Sequence, residues 1–175
     1  MGRFRAPNTL VGISLVAVIA AACTAIFSKS PDEKYRSKLV KIALKEPATS
    51  PRVQNYWKDV LSSSDYAQNA PITKDWCGVF ILWALHQAGL AKKVLWKIGE
   101  GFISTEHLAK TDSPKVGDIA FFSHNQHQAL IKAINGNQIE LLNGNGTNGW
   151  ISPSTVDRNS VTAFYSIDPF IEQMS

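Results

Sequence analysis

Segment 76–89 constrains the fold of this chain more than any other, because its sequence, WCGVFILWALHQAG, is apolar on almost every side. A helix that is apolar all round is stable only when other elements enclose it. Asp75 stands where a helix N-cap is preferred, and Gly89 stands where helices commonly end. We therefore predict a buried central helix whose first turn contains Cys77.

Helical periodicity precedes this central segment, and strand periodicity follows it. Helices are expected at 35–45 and 53–61, with a shorter helical piece at 105–109. Beyond Pro114 the apolar residues alternate, and strands are expected at 119–122, 128–134, 138–142 and 161–167. Helices followed by an antiparallel sheet predict an α+β fold, and a length of 175 residues favours one globular domain.

Residues 1–27 have the pattern of an export signal or a membrane anchor. Arg3 and Arg5 precede an uncharged, largely apolar stretch at 9–27, whose length falls between a signal-peptide core and a full membrane span. Three alanines before Cys23 offer a cleavage site, and lipidation of Cys23 is the alternative. We expect an exported protein of the periplasm or cell envelope, secreted or membrane-anchored, whose N-terminal segment contacts the membrane.

The polar segment after the leader, the net charge and the residue spacing indicate where the domain begins and which partners the sequence predicts. Segment 28–34 is polar and contains Pro31, which predicts a short linker to a domain at 35–175. A net charge of +4 is too small to indicate a nucleic-acid-binding protein. No residues have metal-ligand spacing, so neither a metal nor another cofactor is predicted, and the sequence indicates no oligomer interface.

Cys77 is the single cysteine of the predicted domain, because the other cysteine of the chain lies in the leader. An unpaired thiol in an oxidising compartment is exposed to damage unless it is buried or used. The first turn of a helix favours the thiolate through its free N–H groups and the helix dipole. A buried structural cysteine is the competing interpretation, but the helix-start position and a downstream histidine favour a nucleophile.

The downstream pattern places His127 at the start of one predicted strand and Asn143 and Asn145 at the end of the next. A base on one strand and a polar orienting residue on its neighbour is the geometry that a Cys-His-Asn triad requires. A two-residue turn at Asn135-Gly136 would direct both asparagines away from His127, whereas a three-residue loop sets Asn143 across from it. We predict the three-residue loop, with Gly136 in the left-handed position.

The other histidines and the tryptophans are weaker candidates. His124 is expected at the surface or in a loop, His86 lies too far along the central helix, and His107 falls in a predicted surface helix. Most tryptophans are expected in the core. Trp76 and Trp150 are candidates for the rim of a substrate cleft, where a flat ring suits a sugar or a peptide.

Residues from about 46 to 164 resemble the CHAP family of cysteine- and histidine-dependent amidohydrolases and peptidases. They resemble more loosely the NlpC-like peptidases, which share the papain-like fold. The matching positions are Glu46, Val53, Tyr56, Trp57, Trp76, Cys77, Phe80, Trp83, Ala88, Gly89, Gly117, Asp118, Ile119, His127, Gly144 and Asn145. The resemblance implies a papain-like fold in which Cys77 is the nucleophile, His127 is the base and an Asn, Asp or Glu on the next strand orients the histidine.

The resemblance further implies that the substrate is an amide bond of peptidoglycan, in the stem peptide or at the muramoyl-alanine link. Gln128 departs from the pattern of the family, because a small or aliphatic residue is usual after the histidine. Asn143 stands where some relatives have Glu, whereas Asn145 matches another branch, so resemblance favours Asn145 and register favours Asn143. The alternatives are a catalytically inactive papain-like module that binds the cell envelope and a cysteine-dependent acyltransferase.

Overall fold

The computed structural model describes residues 29–61, 75–94 and 108–174. The chain divides into two compact units, Met1–Pro31 and Asp32–Ser175, and the second contains nearly all of the described residues. The predicted export segment at 1–27, with Cys23, lies outside them. Within the described part of the chain, no helix is both long and apolar enough to cross a membrane.

The described residues form helices and one antiparallel sheet, which confirms the α+β class. The helices are α1 (Pro31–Leu44), α2 (Val53–Val60), α3 (Cys77–Ala88) and α4 (Asp168–Glu172). The strands are β1 (Ala109–Lys110), β2 (Ile119–Phe122), β3 (His127–Asn135), β4 (Gln138–Asn143), β5 (Ser152–Asp157) and β6 (Ala163–Ser166). Their order across the sheet is β1-β6-β2-β3-β4-β5, and all neighbouring strands are antiparallel.

Helix α3 is buried along its length except at His86 and Gln87, as its apolar sequence predicts. The helix ends at Gly89, whose φ of 90° is a left-handed conformation that glycine adopts readily. The predicted N-cap is wrong, because Trp76 occupies the cap position and makes no side-chain capping bond. Asp75 lies one residue outside the cap and is exposed.

The two faces of the sheet belong to different cores. Leu130 of β3 and Leu142 of β4 lie in the main core together with the apolar side chains of α3. Ala129 of β3 and Leu141 of β4 lie on the opposite face and form a second, smaller core. Since side chains alternate along a strand, His127 shares the second face with Ala129.

The turn between β3 and β4 is one residue shorter than predicted and ends one residue later. Asn135 pairs with Gln138, so the turn consists of Gly136 and Asn137. Gly136 has a φ of 61° and occupies the first turn position, which is typical of a type II′ turn. The predicted three-residue loop is therefore wrong, because Asn135 stays in the strand and Gly136 supplies the left-handed residue at the start of the turn.

A bulge at Lys132 brings Asn143 back towards His127. The register shifts between Ile131 and Ala133, and Ala129 then pairs with Asn143. Paired residues share a face of the sheet, so His127 and Asn143 are diagonal neighbours on one face. Without the bulge, Asn143 would pair with the residue after Ala129 and point towards α3.

Helix α1 begins at Pro31, so the predicted linker at 28–34 is wrong for its last four residues. Proline is tolerated at the first helical position, where its fixed φ suits the helix and its missing N–H costs nothing. Asp32 and Glu33 occupy the first turn, where their negative charge interacts favourably with the helix dipole.

Arg36 of α1 is buried and joins three segments of the fold. Its guanidinium donates to Asp32 Oδ1 at 2.6 Å, to the Val116 carbonyl oxygen at 3.0 Å and to Asp118 Oδ1 at 2.7 Å. It also donates to Asp168, the first residue of α4. Asp118 is almost fully buried, so this network holds α1, the segment before β2 and α4 together.

Two further elements differ from the prediction. Strand β5 was not predicted, because Pro153 lies within it; β5 is an edge strand, where the missing N–H of proline is tolerated. Ala109 lies in β1, paired with Ser166, so the helical piece predicted at 105–109 is wrong at that residue. Leu108 is in neither helix nor strand, and residues 105–107 of that piece lie outside the described residues.

Replacing Arg36 with methionine is expected to destabilise the protein by about 3–5 kcal/mol, because it removes the cation beside the buried carboxylate of Asp118 and leaves only backbone N–H donors there. Urea unfolding of the Arg36→Met variant, followed by circular dichroism, measures this loss. Lys41→Met, at an exposed position of the same helix, is the matched control and is expected to change stability by less than about 0.5 kcal/mol. Equal stability of both variants would contradict the role assigned to the network.

Candidate active site

Cys77 is the first residue of α3 and lies against the start of β3. Its side chain is buried, with 7% exposure. The backbone N–H of Gln128, the residue after His127, donates a hydrogen bond to the sulfur of Cys77. The predicted nucleophile and the residue next to the predicted base are therefore in direct contact.

Burial raises the pKa of the Cys77 thiol above its ordinary value. The backbone N–H groups of Gln128, Gly78 and Cys77 act in the opposite direction, and the negative charge of Asp75 adds to the rise. The sequence predicted a thiolate favoured by the helix start. The N–H groups do favour the anion, but desolvation outweighs them, so Cys77 is a neutral thiol at neutral pH.

His127 begins β3 directly after a tight turn. Gln126 has a left-handed φ of 50°, and the His127 backbone N–H lies 3.3 Å from Asn125 Oδ1. The half-buried imidazole packs against Phe122, with 6.3 Å between ring centroids. Its Nε2 lies 2.9 Å from Oδ1 of Asn143.

The orientation of the Asn143 carboxamide is fixed by its other contacts. Its Nδ2 donates to the Ser152 carbonyl oxygen at 2.9 Å and to Ser154 Oγ at 3.0 Å. A carbonyl oxygen only accepts hydrogen bonds, so the amide nitrogen must face Ser152 and the amide oxygen must face His127. An amide oxygen also only accepts, so Nε2 of His127 carries the proton. In the neutral ring the lone pair is therefore on Nδ1, which is the nitrogen that can act as a base.

Asn145, the other candidate orienting residue, lies beyond the end of β4. It is in a turn and has a left-handed φ of 52°, so its side chain does not continue the alternation of the strand. Of the two asparagines, Asn143 makes the hydrogen bond to His127.

Gly144 lets the end of β4 approach α3 closely. A Cβ atom at this position would lie 2.7 Å from Cβ of Phe80, which follows Cys77 by one helical turn. Such a contact is shorter than carbon atoms tolerate, so any larger residue would push the strand away from the helix. The glycine thus keeps the strand that carries Asn143 next to the helix that carries Cys77.

The structure separates the two candidate rim tryptophans. Trp76 is only 5% exposed and packs against Tyr56 and Phe80, so its predicted place on a cleft rim is wrong; the aromatic core encloses its ring. Trp150 lies between β4 and β5 and is 42% exposed. Its carbonyl oxygen accepts from the Gly146 N–H at 2.8 Å, so Trp150 belongs to the loop that follows Asn143.

The remaining histidines lie elsewhere. His124 is exposed in the β2–β3 turn, as predicted, and His86 contacts Asp59 Oδ2 at 2.8 Å and the Val94 carbonyl oxygen at 3.0 Å. His107 lies outside the described residues. Among the described residues, no group of three His, Cys, Asp or Glu side chains is arranged to hold a metal ion.

Ser152 and Ser154 are the site residues that the sequence did not indicate. They lie on alternate positions of β5 and therefore on one face, which is the face of Asn143. Their spacing of two was the available signal. This spacing places two residues on one face only if they lie in a strand. Pro153, between them, argued against a strand at this position.

The chain matches no family model, and comparison with curated proteins and with solved structures gives no match.

Alkylation of Cys77 is expected to follow an alkaline pH profile. Only the thiolate reacts, and burial raises the pKa, so the midpoint of the rate against pH should lie above the ordinary thiol value of about 8.5. Iodoacetamide labelling, followed by mass spectrometry of the Cys77 peptide, measures the midpoint independently of Cys23. The same peptide in unfolded protein is the control. A midpoint in the folded protein at or below that of the unfolded chain would show that the N–H groups outweigh burial.

Replacing Asn143 with aspartate is expected to destabilise the fold by about 1–3 kcal/mol at neutral pH, because a carboxylate has no hydrogen to donate to the Ser152 carbonyl oxygen. The loss should shrink at acid pH, where a protonated carboxyl regains a donor. Thermal unfolding of Asn143→Asp between pH 4 and 8 tests this. Asn148→Asp, the same change at an exposed loop position, is the control. A stability loss independent of pH would count against the donor argument.

Proposed function

We propose that this chain is an exported cysteine hydrolase that cleaves amide bonds of peptidoglycan, with Cys77 as nucleophile and His127 as base. The observation that carries the proposal is the pair of contacts at the start of β3. The N–H of Gln128 bonds to the sulfur of Cys77, and Asn143 holds Nε2 of His127 and leaves Nδ1 as the basic nitrogen. A cysteine at a helix start and a histidine at a strand start are also what the CHAP and papain-like resemblance implies.

In the proposed reaction, Nδ1 of His127 takes the proton of the Cys77 thiol as the sulfur attacks the amide carbonyl carbon. The backbone N–H of Cys77, at the start of α3, donates to the oxyanion of the tetrahedral intermediate. His127 then gives its proton to the leaving nitrogen, and an acyl-enzyme forms. Nδ1 of His127 then deprotonates a water molecule, which attacks the thioester. The carboxylic acid product leaves, and His127 returns the proton to the sulfur of Cys77.

The raised pKa of Cys77 supports activation by general base catalysis rather than a thiolate that persists before substrate binds. Transfer of the thiol proton to His127 creates two charges in a partly buried site, and the neutral Asn143 compensates the imidazolium less than a carboxylate would. The charge separation is therefore most favourable when it is coupled to attack on the substrate, where the oxyanion donors contribute.

Peptidoglycan is proposed as the substrate on three grounds. The family that the sequence resembles acts on its amide bonds, in stem peptides or at the muramoyl-alanine link, and the leader at 1–27 is typical of an exported or anchored protein. Trp150 supplies an exposed ring on the loop after Asn143, and a flat ring of this kind suits a sugar or peptide.

One observation favours a second function, a module that binds the cell envelope without turnover. Cys77 is 7% exposed and its pKa is raised, which is also what a structural cysteine shows. Such a module would retain affinity for peptidoglycan without cleaving it.

Digestion of purified peptidoglycan by the full chain tests the proposal, with mass spectrometry of the released fragments and assay of new amino groups. Cys77→Ala and His127→Ala are expected to lower kcat/KM by about 10²–10⁴-fold, because each removes a group needed for proton transfer or bond formation. Thr155→Ala, an exposed position on β5, serves as the matched control. Hydrolysis by Cys77→Ala at the wild-type rate would reject the proposed nucleophile. Binding of all variants without any cleavage would support the module.

A further inference from the structure

Three adjacent strands contribute polar side chains to the same face of the sheet. His127 of β3 and Asn143 of β4 are diagonal neighbours, and Ser154 of β5 pairs with Leu141, which lies on that same face. The hydrogen bonds run in sequence from His127 Nε2 to Asn143 Oδ1, and from Asn143 Nδ2 to Ser154 Oγ. The side chains thus form a continuous row across the sheet.

Both amide hydrogens of the Asn143 side chain have an acceptor on β5. One Nδ2 hydrogen goes to the Ser152 carbonyl oxygen and the other to Ser154 Oγ, while Oδ1 faces His127. Three contacts fix the plane of the amide. Asn143 is 7% exposed, so water does not readily replace a lost partner, and an amide hydrogen left without one is costly.

We propose that Ser154 is a positioning residue that acts through Asn143 to hold His127 with its proton on Nε2. Without the hydroxyl, the second Nδ2 hydrogen finds a partner only if the amide tilts out of its plane. That tilt lengthens the bond between Oδ1 and Nε2 and loosens the imidazole. The consequence for catalysis rests on the proposed function, whereas the effect on the His127 ring does not.

Ser154 is the member of this set that substitution can remove cleanly. Ser152 contributes its backbone carbonyl, which no side-chain change deletes, and His127 and Asn143 belong to the proposed catalytic group. Thr and Val have nearly the same shape and differ in one hydroxyl, and both suit a strand. Comparison of Ser154→Thr with Ser154→Val therefore isolates the hydrogen bond from the change in size.

The test measures the exchange of the His127 Nε2 proton with water in the full chain, uniformly ¹⁵N-labelled and held in detergent micelles. The resonance is assigned by its loss in His127→Gln. Ser154→Val is expected to accelerate exchange about fivefold or more relative to Ser154→Thr, the ratio that loss of one neutral hydrogen bond gives. Exchange of the Leu142 backbone N–H, in the neighbouring strand, is the internal reference and should stay within about twofold in both variants.

Equal Nε2 exchange in Ser154→Val and Ser154→Thr would overturn the proposal. If the valine variant does not fold, Ser154→Ala replaces it under the same criterion. In the peptidoglycan assay, Ser154→Val is expected to lower kcat about tenfold relative to Ser154→Thr, with KM within about twofold. Faster exchange in a chain whose wild type cleaves nothing would reject the proposed function and leave the positioning role standing. Cleavage by the wild type with equal exchange in both variants would support the proposed function and reject the positioning role of Ser154.

Discussion

The structure depends on the need to enclose α3, a helix that is apolar on nearly every side. The sheet covers one side through Leu130 and Leu142, and residues of α1 and α2 belong to the same core. A helix held on several sides has little freedom to slide, because core side chains interdigitate at close-packed density. Its first residue is then fixed relative to the sheet, and Gly144 sets how closely β4 approaches it. The position of Cys77 beside the start of β3 is a consequence of core packing.

The polar residues of the site lie on the sheet face opposite to that core, and this placement explains their identities. His127, Asn143 and Ser154 lie on the same face as Ala129 and Leu141, next to the apolar side chains of the second core. Polar groups in such surroundings must be hydrogen-bonded to one another or to backbone. The Ser152 carbonyl oxygen demands a donor, which an amide supplies and a carboxylate does not. This is a physical reason for asparagine at a position where some members of the resembled family have glutamate.

The sequence was sufficient to predict what depends on local periodicity. The buried helix, its glycine stop and the two strands after Pro114 that carry His127 and Asn143 follow from apolar spacing alone. The register did not follow, because it depends on which residue of the turn adopts a left-handed φ and on the bulge at Lys132. The bulge returns Asn143 to the face of His127, but Asn143 pairs with Ala129, so the contact between His127 and Asn143 is diagonal and forms in a register that was not predicted. Long-range polar contacts, such as those of Arg36 and Ser154, leave no periodic signal in the sequence.

The charge balance of the site follows from the same burial. The thiol of Cys77 lies beside the backbone N–H of Gln128, and the carboxamide oxygen of Asn143 faces Nε2 of His127. Transfer of a proton from Cys77 to His127 would create an ion pair, and its cost depends on what compensates each charge. The N–H groups of Gln128 and Gly78 face the sulfur, whereas a single amide oxygen faces the imidazolium. More donors would face the Cys77 thiolate than acceptors would face the His127 imidazolium. The stability of this ion pair would therefore depend most on the position of the Asn143 amide oxygen.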